Sequence, residues 1–184
     1  GMFPVAPWFW IPADTVQDRP NMETAKYRAW IKDGKIQTTP GNHLDYSVVR
    51  GRINEIAKVV KIREIAFDPM FAGQLAMELE SEGFVMVATP QGPRHFTEPL
   101  QQIESAVLDK RLRHGGNPVL RWNVDCAQVK QDSKGGIWLA KPDRMKSGKR
   151  IDGAVAMAMA FGRALLAPAP RVSVYARRGG VVLQ

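Results

Sequence analysis

Apolar and polar positions sort most cleanly in the centre of the chain. Glu64 to Phe67 is a short apolar run, Asp68-Pro69 breaks it, and Met70 to Glu82 carries apolar residues at helical spacing up to Gly83. Phe84 to Ala88 (FVMVA) is a second continuous apolar run. Short unbroken runs mark strands covered on both faces, so the pattern predicts a buried strand, a helix and a second buried strand, joined as a parallel pair. Gly83 is placed to cap the helix, because glycine takes the left-handed backbone without steric cost.

The flanks read less regularly. Val5 to Ala13 is aromatic and apolar, but Pro7 and Pro12 confine it to an edge strand or an extended arm. Helices are predicted over Pro20 to Gly34, Asp45 to Val60, Phe96 to Leu112, Asn117 to Ala127 and Ile151 to Leu166. In the second of these, Val48, Val49, Ile53, Ile56, Val59 and Val60 recur at helical spacing with Arg50, Arg52 and Lys58 between them. Lys35 to Thr39 is a short strand candidate, and Val129 to Ala140 reads as a hairpin turning through Asp132 to Gly136. Pro168 and Pro170 end the last helix. Beyond them Val172 to Gln184 carries two strand-like runs around Arg177 and Arg178. Strands alternating with helices predict an α/β domain over residues 1–170, followed by a tail or hairpin over 171–184.

Composition narrows the partners. A net charge of +8 and a pI near 9.9 favour a polyanion, because lysines and arginines displace counterions from phosphates. The single cysteine, Cys126, excludes an internal disulfide and any Cys/His metal cluster. No apolar run approaches the ~20 residues of a membrane span, and no signal peptide opens the chain, so the expectation is a soluble, cytoplasmic protein.

Two carboxylates stand where chemistry is done. Asp68 ends a strand, where a side chain projects from a rigid sheet edge into a crevice, and Asp152 opens the last helix after a Lys/Arg-rich loop. Brought together they would need a cation between them, and Mg²⁺ or Mn²⁺ with oxygen donors is the usual solution. Spacing leaves a second possibility open for each: Asp68 before Pro69 as a turn residue, and Asp152 before Gly153 as a helix cap.

Five segments in register resemble the C-terminal half of tailed-bacteriophage terminase large subunits. They are Phe9-Trp10-Ile11-Pro12, Thr39-Pro40-Gly41-Asn42, Ile65-Ala66-Phe67-Asp68-Pro69, His114 to Trp122 (HGGNPVLRW) and Lys149 to Met159 (KRIDGAVAMAM). The resemblance covers nearly the whole chain. It implies a ribonuclease H-like nuclease domain, with a mixed sheet, flanking helices and an acidic two-metal site. It further implies Asp68 as the carboxylate ending the second catalytic strand and Asp152 as the one on the final helix. The implied activity is endonucleolytic cutting of concatemeric viral double-stranded DNA during genome packaging, with the terminase small subunit and the portal protein as partners.

The chain departs from that family in two places. No G-x-x-x-x-G-K-[ST] occurs, so the ATP-driven translocating domain is missing. The strand bearing the family's first catalytic Asp, and the strand paired with it, should lie upstream of Phe9, where only eight residues stand. The expectation is therefore a domain lacking its first strands, with an uncovered sheet edge open to self-association, to a partner chain or to the tail. Asp14, Asp45 and Asp125 could chelate in place of the missing group, but suit turn, cap or surface roles better.

Lys141, Arg144, Lys146, Lys149 and Arg150 crowd the loop before Asp152 and are candidate DNA-phosphate contacts. Arg50, Arg52, Lys58, Lys61 and Arg63 read as a helix surface, while Lys110, Arg111, Arg113 and Arg121 are open between the two roles. His43, His95 and His114 have no ligand spacing, and Trp8, Phe9 and Trp10 read as packing. The reading that follows is a Mg²⁺- or Mn²⁺-dependent DNA endonuclease domain. Its alternative is a catalytically incomplete prophage remnant that binds DNA or a partner.

Overall fold

The computed structural model describes residues 1–17, 22–142 and 148–166. In chain order the elements are β1 (Phe3–Pro4), β2 (Trp10–Pro12), α1 (Ala13–Gln17), α2 (Met22–Lys32), β3 (Gln37–Thr39), α3 (Tyr46–Ala57), β4 (Ile65–Phe67) and α4 (Gly73–Ser81). They continue as β5 (Met86–Ala88), α5 (Pro93–Leu108), β6 (Leu112–Arg113), α6 (Pro118–Cys126), β7 (Gln128–Gln131), β8 (Ile137–Ala140) and α7 (Asp152–Leu166). Among the described residues the strands form four two-stranded ladders: β1-β6, β2-β3 and β4-β5 are parallel, and β7-β8 is an antiparallel hairpin.

The central strand-helix-strand unit forms as its pattern predicts. Ile65 pairs with Met86 and Phe67 with Ala88, and α4 crosses between the two strands with Leu75, Ala76 and Leu79 buried. Gly83 takes φ +93°, and Phe84 N–H donates to the Leu79 carbonyl, closing the helix. Neither strand is buried, contrary to the expectation. β4 is half-buried throughout, Val85 is 58% exposed and Ala88 is exposed. An apolar run specifies that a strand can be covered on both faces; the covering must come from other residues, and among the described ones it comes to β4 from α7.

The core lies where α5, α7 and the hairpin meet. Phe96, Cys126, Ile151, Val155, Ala158 and Met159 form its buried centre, with Ala66, Trp138 and Leu139 packed around it. Gly162 allows α5 and α7 to cross closely, since a Cβ there would stand 2.8 Å from Pro99 Cγ. Thr97 ties the hairpin to α5: its hydroxyl donates to the Pro93 carbonyl at 2.7 Å and accepts from Ile137 N–H at 2.9 Å.

α3 is shorter than predicted and buries none of its residues. Asp45 caps it by accepting from Ser47 N–H, and the Ser47 hydroxyl together with that N–H holds the Asp45 carboxyl below its ordinary pKa. The helix stops at Ala57, leaving Val59 82% exposed. Ion pairs join α3 to α4: Arg50 reaches Glu78 at 3.0 Å and Glu82 at 2.8 Å. The predicted helix from Phe96 begins earlier, at Pro93, and yields Leu112 to β6. The strand-like runs of Val172 to Gln184 lie outside the described residues.

Arg163, late in α7, holds Glu64 through two hydrogen bonds of 3.0 and 2.9 Å. Glu64 precedes β4, and Ala66 within β4 packs on the core cluster to which α7 contributes Val155, Ala158 and Met159, so α7 lies against β4. The Arg163 hydrogen bonds hold the Glu64 carboxyl below its ordinary value of 4.5. A lowered folded-state pKa gives stability that is present above 4.5 and lost as pH falls through the folded value. Replacing Glu64 with Gln is expected to cost on the order of 1 kcal/mol at pH 7. It should also flatten the fall in stability below pH ~5, read from urea midpoints across pH. Equal slopes for both proteins would remove Glu64 as a source of acid sensitivity.

Candidate active site

Asp68 follows the last residue of β4, and the turn after it fixes its carboxylate. Oδ1 accepts from Met70 N–H at 3.0 Å, and Oδ2 accepts from the Gln91 side-chain amide at 2.7 Å. The Asp68 carbonyl accepts from Phe71 and Ala72 N–H, and Tyr46 Oη donates to the Phe71 carbonyl at 3.3 Å. Asp68 is thus a turn residue, and this turn leaves its carboxylate in an open hollow lined by Asp68, Pro69, Met70, Phe71, Pro90 and Gln91. Met70 and Phe71 stand 80% and 70% exposed on the rim.

Asp152 is the first residue of α7 and is exposed. It is not the cap. Val155 N–H donates to the Ile151 carbonyl, which makes Ile151 the boundary residue and Asp152 the first helical one. The capping is done from another helix: Asn123 Oδ1 accepts from Gly153 N–H at 2.8 Å, while its Nδ2 donates to the Val119 carbonyl at 3.0 Å. Asn123 is 3% exposed, so a buried amide anchors the first turn of α7. Phe9 fixes the same turn from the opposite part of the chain, since a Cβ on Gly153 would lie 2.7 Å from its ring. An Asp at a helix N-terminus is also favoured by the helix dipole.

α7 packs against β4, and Arg163 near its end is tied to Glu64 just before β4. Lys149 and Arg150 are exposed and directly precede the first turn of α7. Lys141 follows β8 and is half-buried, apart in sequence from that pair; Arg144 and Lys146 lie outside the described residues. Asp14, Asp45 and Asp125 fall in α1, at the N-cap of α3 and on α6. Among the described residues no group of three or more His, Cys, Asp or Glu is placed to hold a metal ion.

Several basic residues are occupied within the protein. Arg50 and Arg52 pair with acids on α3 and α4, which agrees with a helix-surface role. Arg111 pairs with Asp109 at 2.9 Å and sits over the Phe3 ring. Trp10 Nε1 donates to Gln37 Oε1, and Phe9 packs on α7, as structural aromatics do. Sequence reasoning missed Gln91 and Asn123. Both are neutral amides acting across 23 and 30 residues of chain, and no local period marks such a contact.

A family profile described as terminase large subunit, endonuclease domain, matches residues 9–167. The terminase large subunit of Enterobacteria phage HK97 is 35% identical over 166 residues, covering 89% of this chain and 32% of that protein. Protein YmfN of Escherichia coli strain K12 is 31% identical over 170 residues, covering 89% of this chain and 37% of that protein. The crystal structure of the HK97 bacteriophage large terminase matches with a TM-score of 0.76 and 34% identity, over 89% of this chain and 34% of that one. The large terminase nuclease from thermophilic phage G20c matches with a TM-score of 0.52 at 11% identity, over 67% of this chain and 64% of that one, which is a likeness of fold alone. The chain spans about a third of the length of the two sequence relatives. Its fold is the mixed α/β, ribonuclease H-like fold of terminase nucleases. No described helix is long and apolar enough to cross a membrane. With the profile running from Phe9 through α7, the chain belongs to the terminase large subunit endonuclease domain family.

Proposed function

We propose that this chain is a DNA endonuclease domain that uses Mg²⁺ or Mn²⁺ to cut double-stranded viral DNA during packaging. Asp68 and Asp152 are its metal-binding carboxylates. What supports this reading is the family match over residues 9–167, which takes in Asp68 at the end of β4 and Asp152 at the start of α7, the helix that packs against β4. The oxygen donors suit a hard divalent cation. They fit one cation that keeps most of its water shell, as Mg²⁺ does when held by one or two carboxylates. They do not fit a two-metal centre, which needs a further carboxylate that the described residues do not bring to them.

A bound cation would neutralise charge on the phosphodiester and favour attack by water. The protein's own part is positional. The Asp68 turn presents a fixed carboxylate, and Asn123 with Phe9 fixes the first turn of α7 beneath Asp152. Lys149 and Arg150 hold phosphates beside that turn, and Lys141, after β8, is a further candidate contact. Backbone contacts of this kind carry no base information, so sequence preference is weak. Small-subunit and portal contacts would belong to the longer protein.

Supercoiled plasmid incubated with the purified chain and Mn²⁺ is expected to be nicked. Asp68→Asn and Asp152→Asn should each reduce nicking about 100-fold or more while leaving urea midpoints near the parent value. Nicking that survives both substitutions would remove the assignment. A second reading has an observation in its favour, the absence of a three-carboxylate group among the described residues. It makes the chain a catalytically incomplete, DNA-binding remnant. Metal-independent, salt-sensitive DNA binding without nicking would support it.

A further inference from the structure

The loop between β5 and α5 reads Thr89-Pro90-Gln91-Gly92-Pro93, a glutamine between two prolines. It is held at both ends. Thr89, 7% exposed, donates its N–H to the Phe67 carbonyl and its hydroxyl to the Val87 carbonyl, which fixes the loop to β4 and β5. Gly92 accepts from His95 and Phe96 N–H and so begins α5. Pro93 meets the hairpin, because a Cβ on Gly136 would lie 2.7 Å from Pro93 Cβ. Prolines on either side restrict the backbone further. Gln91 itself is exposed, with nothing in the core to explain its place, and its amide points at Asp68 Oδ2 from 2.7 Å.

A carboxylate has about four lone-pair directions. Met70 N–H takes one on Oδ1 and Gln91 takes one on Oδ2, so each oxygen keeps one for another partner. Two donors on two different oxygens also stop the carboxylate rotating about its terminal bond. Outer partners of this kind orient metal ligands and typically change metal affinity 10- to 100-fold, by general experience.

We propose that Gln91 is a positioning residue for Asp68, holding its carboxylate so that the remaining lone pairs face the hollow and receive a divalent cation. This rests on the metal-ligand reading of Asp68.

The test is Mn²⁺ binding to the full chain, followed by electron paramagnetic resonance without DNA, with urea midpoints measured in parallel. Asp68→Asn is expected to abolish the strongest binding. Gln91→Leu is expected to weaken it about 10-fold while barely moving the metal-free midpoint, because the lost hydrogen bond is exposed. Gln91→Glu provides a second variant. It sets a second carboxylate beside Asp68, so the metal-free midpoint should fall and Mn²⁺ should restore it, with tighter binding than the parent. Unchanged Mn²⁺ affinity in Gln91→Leu, with affinity lost in Asp68→Asn, overturns the role of Gln91 and leaves the metal reading standing. Affinity unchanged in Asp68→Asn, or no Mn²⁺ binding by the parent, overturns both. A Gln91→Glu protein that is destabilised and not restored by Mn²⁺ reduces the contact to a loop hydrogen bond and also overturns the proposal.

Discussion

Phe96→Ala is expected to lower the stability of the domain by about 4 kcal/mol. Phe96 is 1% exposed and lies in the cluster that joins α5, α7 and the β7-β8 hairpin, with Ile151, Val155 and Met159 among its members. Removing the ring takes away its transfer free energy and leaves a cavity that three elements cannot all close. A domain of this size has only about 5 to 15 kcal/mol in total, so the variant should unfold at a markedly lower urea concentration. Phe96→Leu, which keeps most of the volume, should lose about half as much. An alanine variant within about 1 kcal/mol of the parent would show that the hairpin, and not Phe96, organises this core.

Gly153→Val should cost about 3 kcal/mol and disturb the site as well as the fold. In most helices replacing glycine is worth up to about 1 kcal/mol of added stability, so a loss reverses the usual sign. The reversal comes from contact: a Cβ at residue 153 meets Phe9 Cε1 at 2.7 Å, Phe9 Cζ at 2.9 Å and Asn123 Cγ at 3.3 Å. Either the ring leaves or α7 shifts, and a shift takes Gly153 N–H away from Asn123 and moves Asp152. Pairing the substitution with Phe9→Ala should recover part of the loss, and urea denaturation of the double-mutant cycle measures how much. Additive losses in the double variant would mean that Phe9 and Gly153 do not confront one another.

Much of this was legible in the chain itself. Gly83 between two apolar runs marks the β4-α4-β5 unit, Asp132 to Gly136 marks the hairpin, and the apolar stretch from Ile151 marks α7, each because the signal is local and periodic. Asp68 was legible as a strand-end carboxylate for the same reason. Burial was not: FVMVA reads as enclosed, yet Val85 faces solvent, since a run of apolar residues carries no information about its cover. Nor were β1 and β6, which are two residues each and present no period. The supports of the site were hidden for a related reason. Asn123 reaches Gly153 and Gln91 reaches Asp68 only after helices and strands have packed, and a lone amide has many surface roles besides.

The start of the chain is laid along α7. Phe3 packs on Phe161 with tilted rings whose centroids are 4.6 Å apart, and Phe9 rests against Gly153, so these residues travel from the late turns of the helix to its first. The eight residue steps from 153 to 161 span about 12 Å of helix. A dye or a surface linker joined ahead of Phe3 is therefore anchored toward the opposite end of α7 from Asp152. Immobilised through such a linker, the domain would offer the first turn of α7 to the bulk solution.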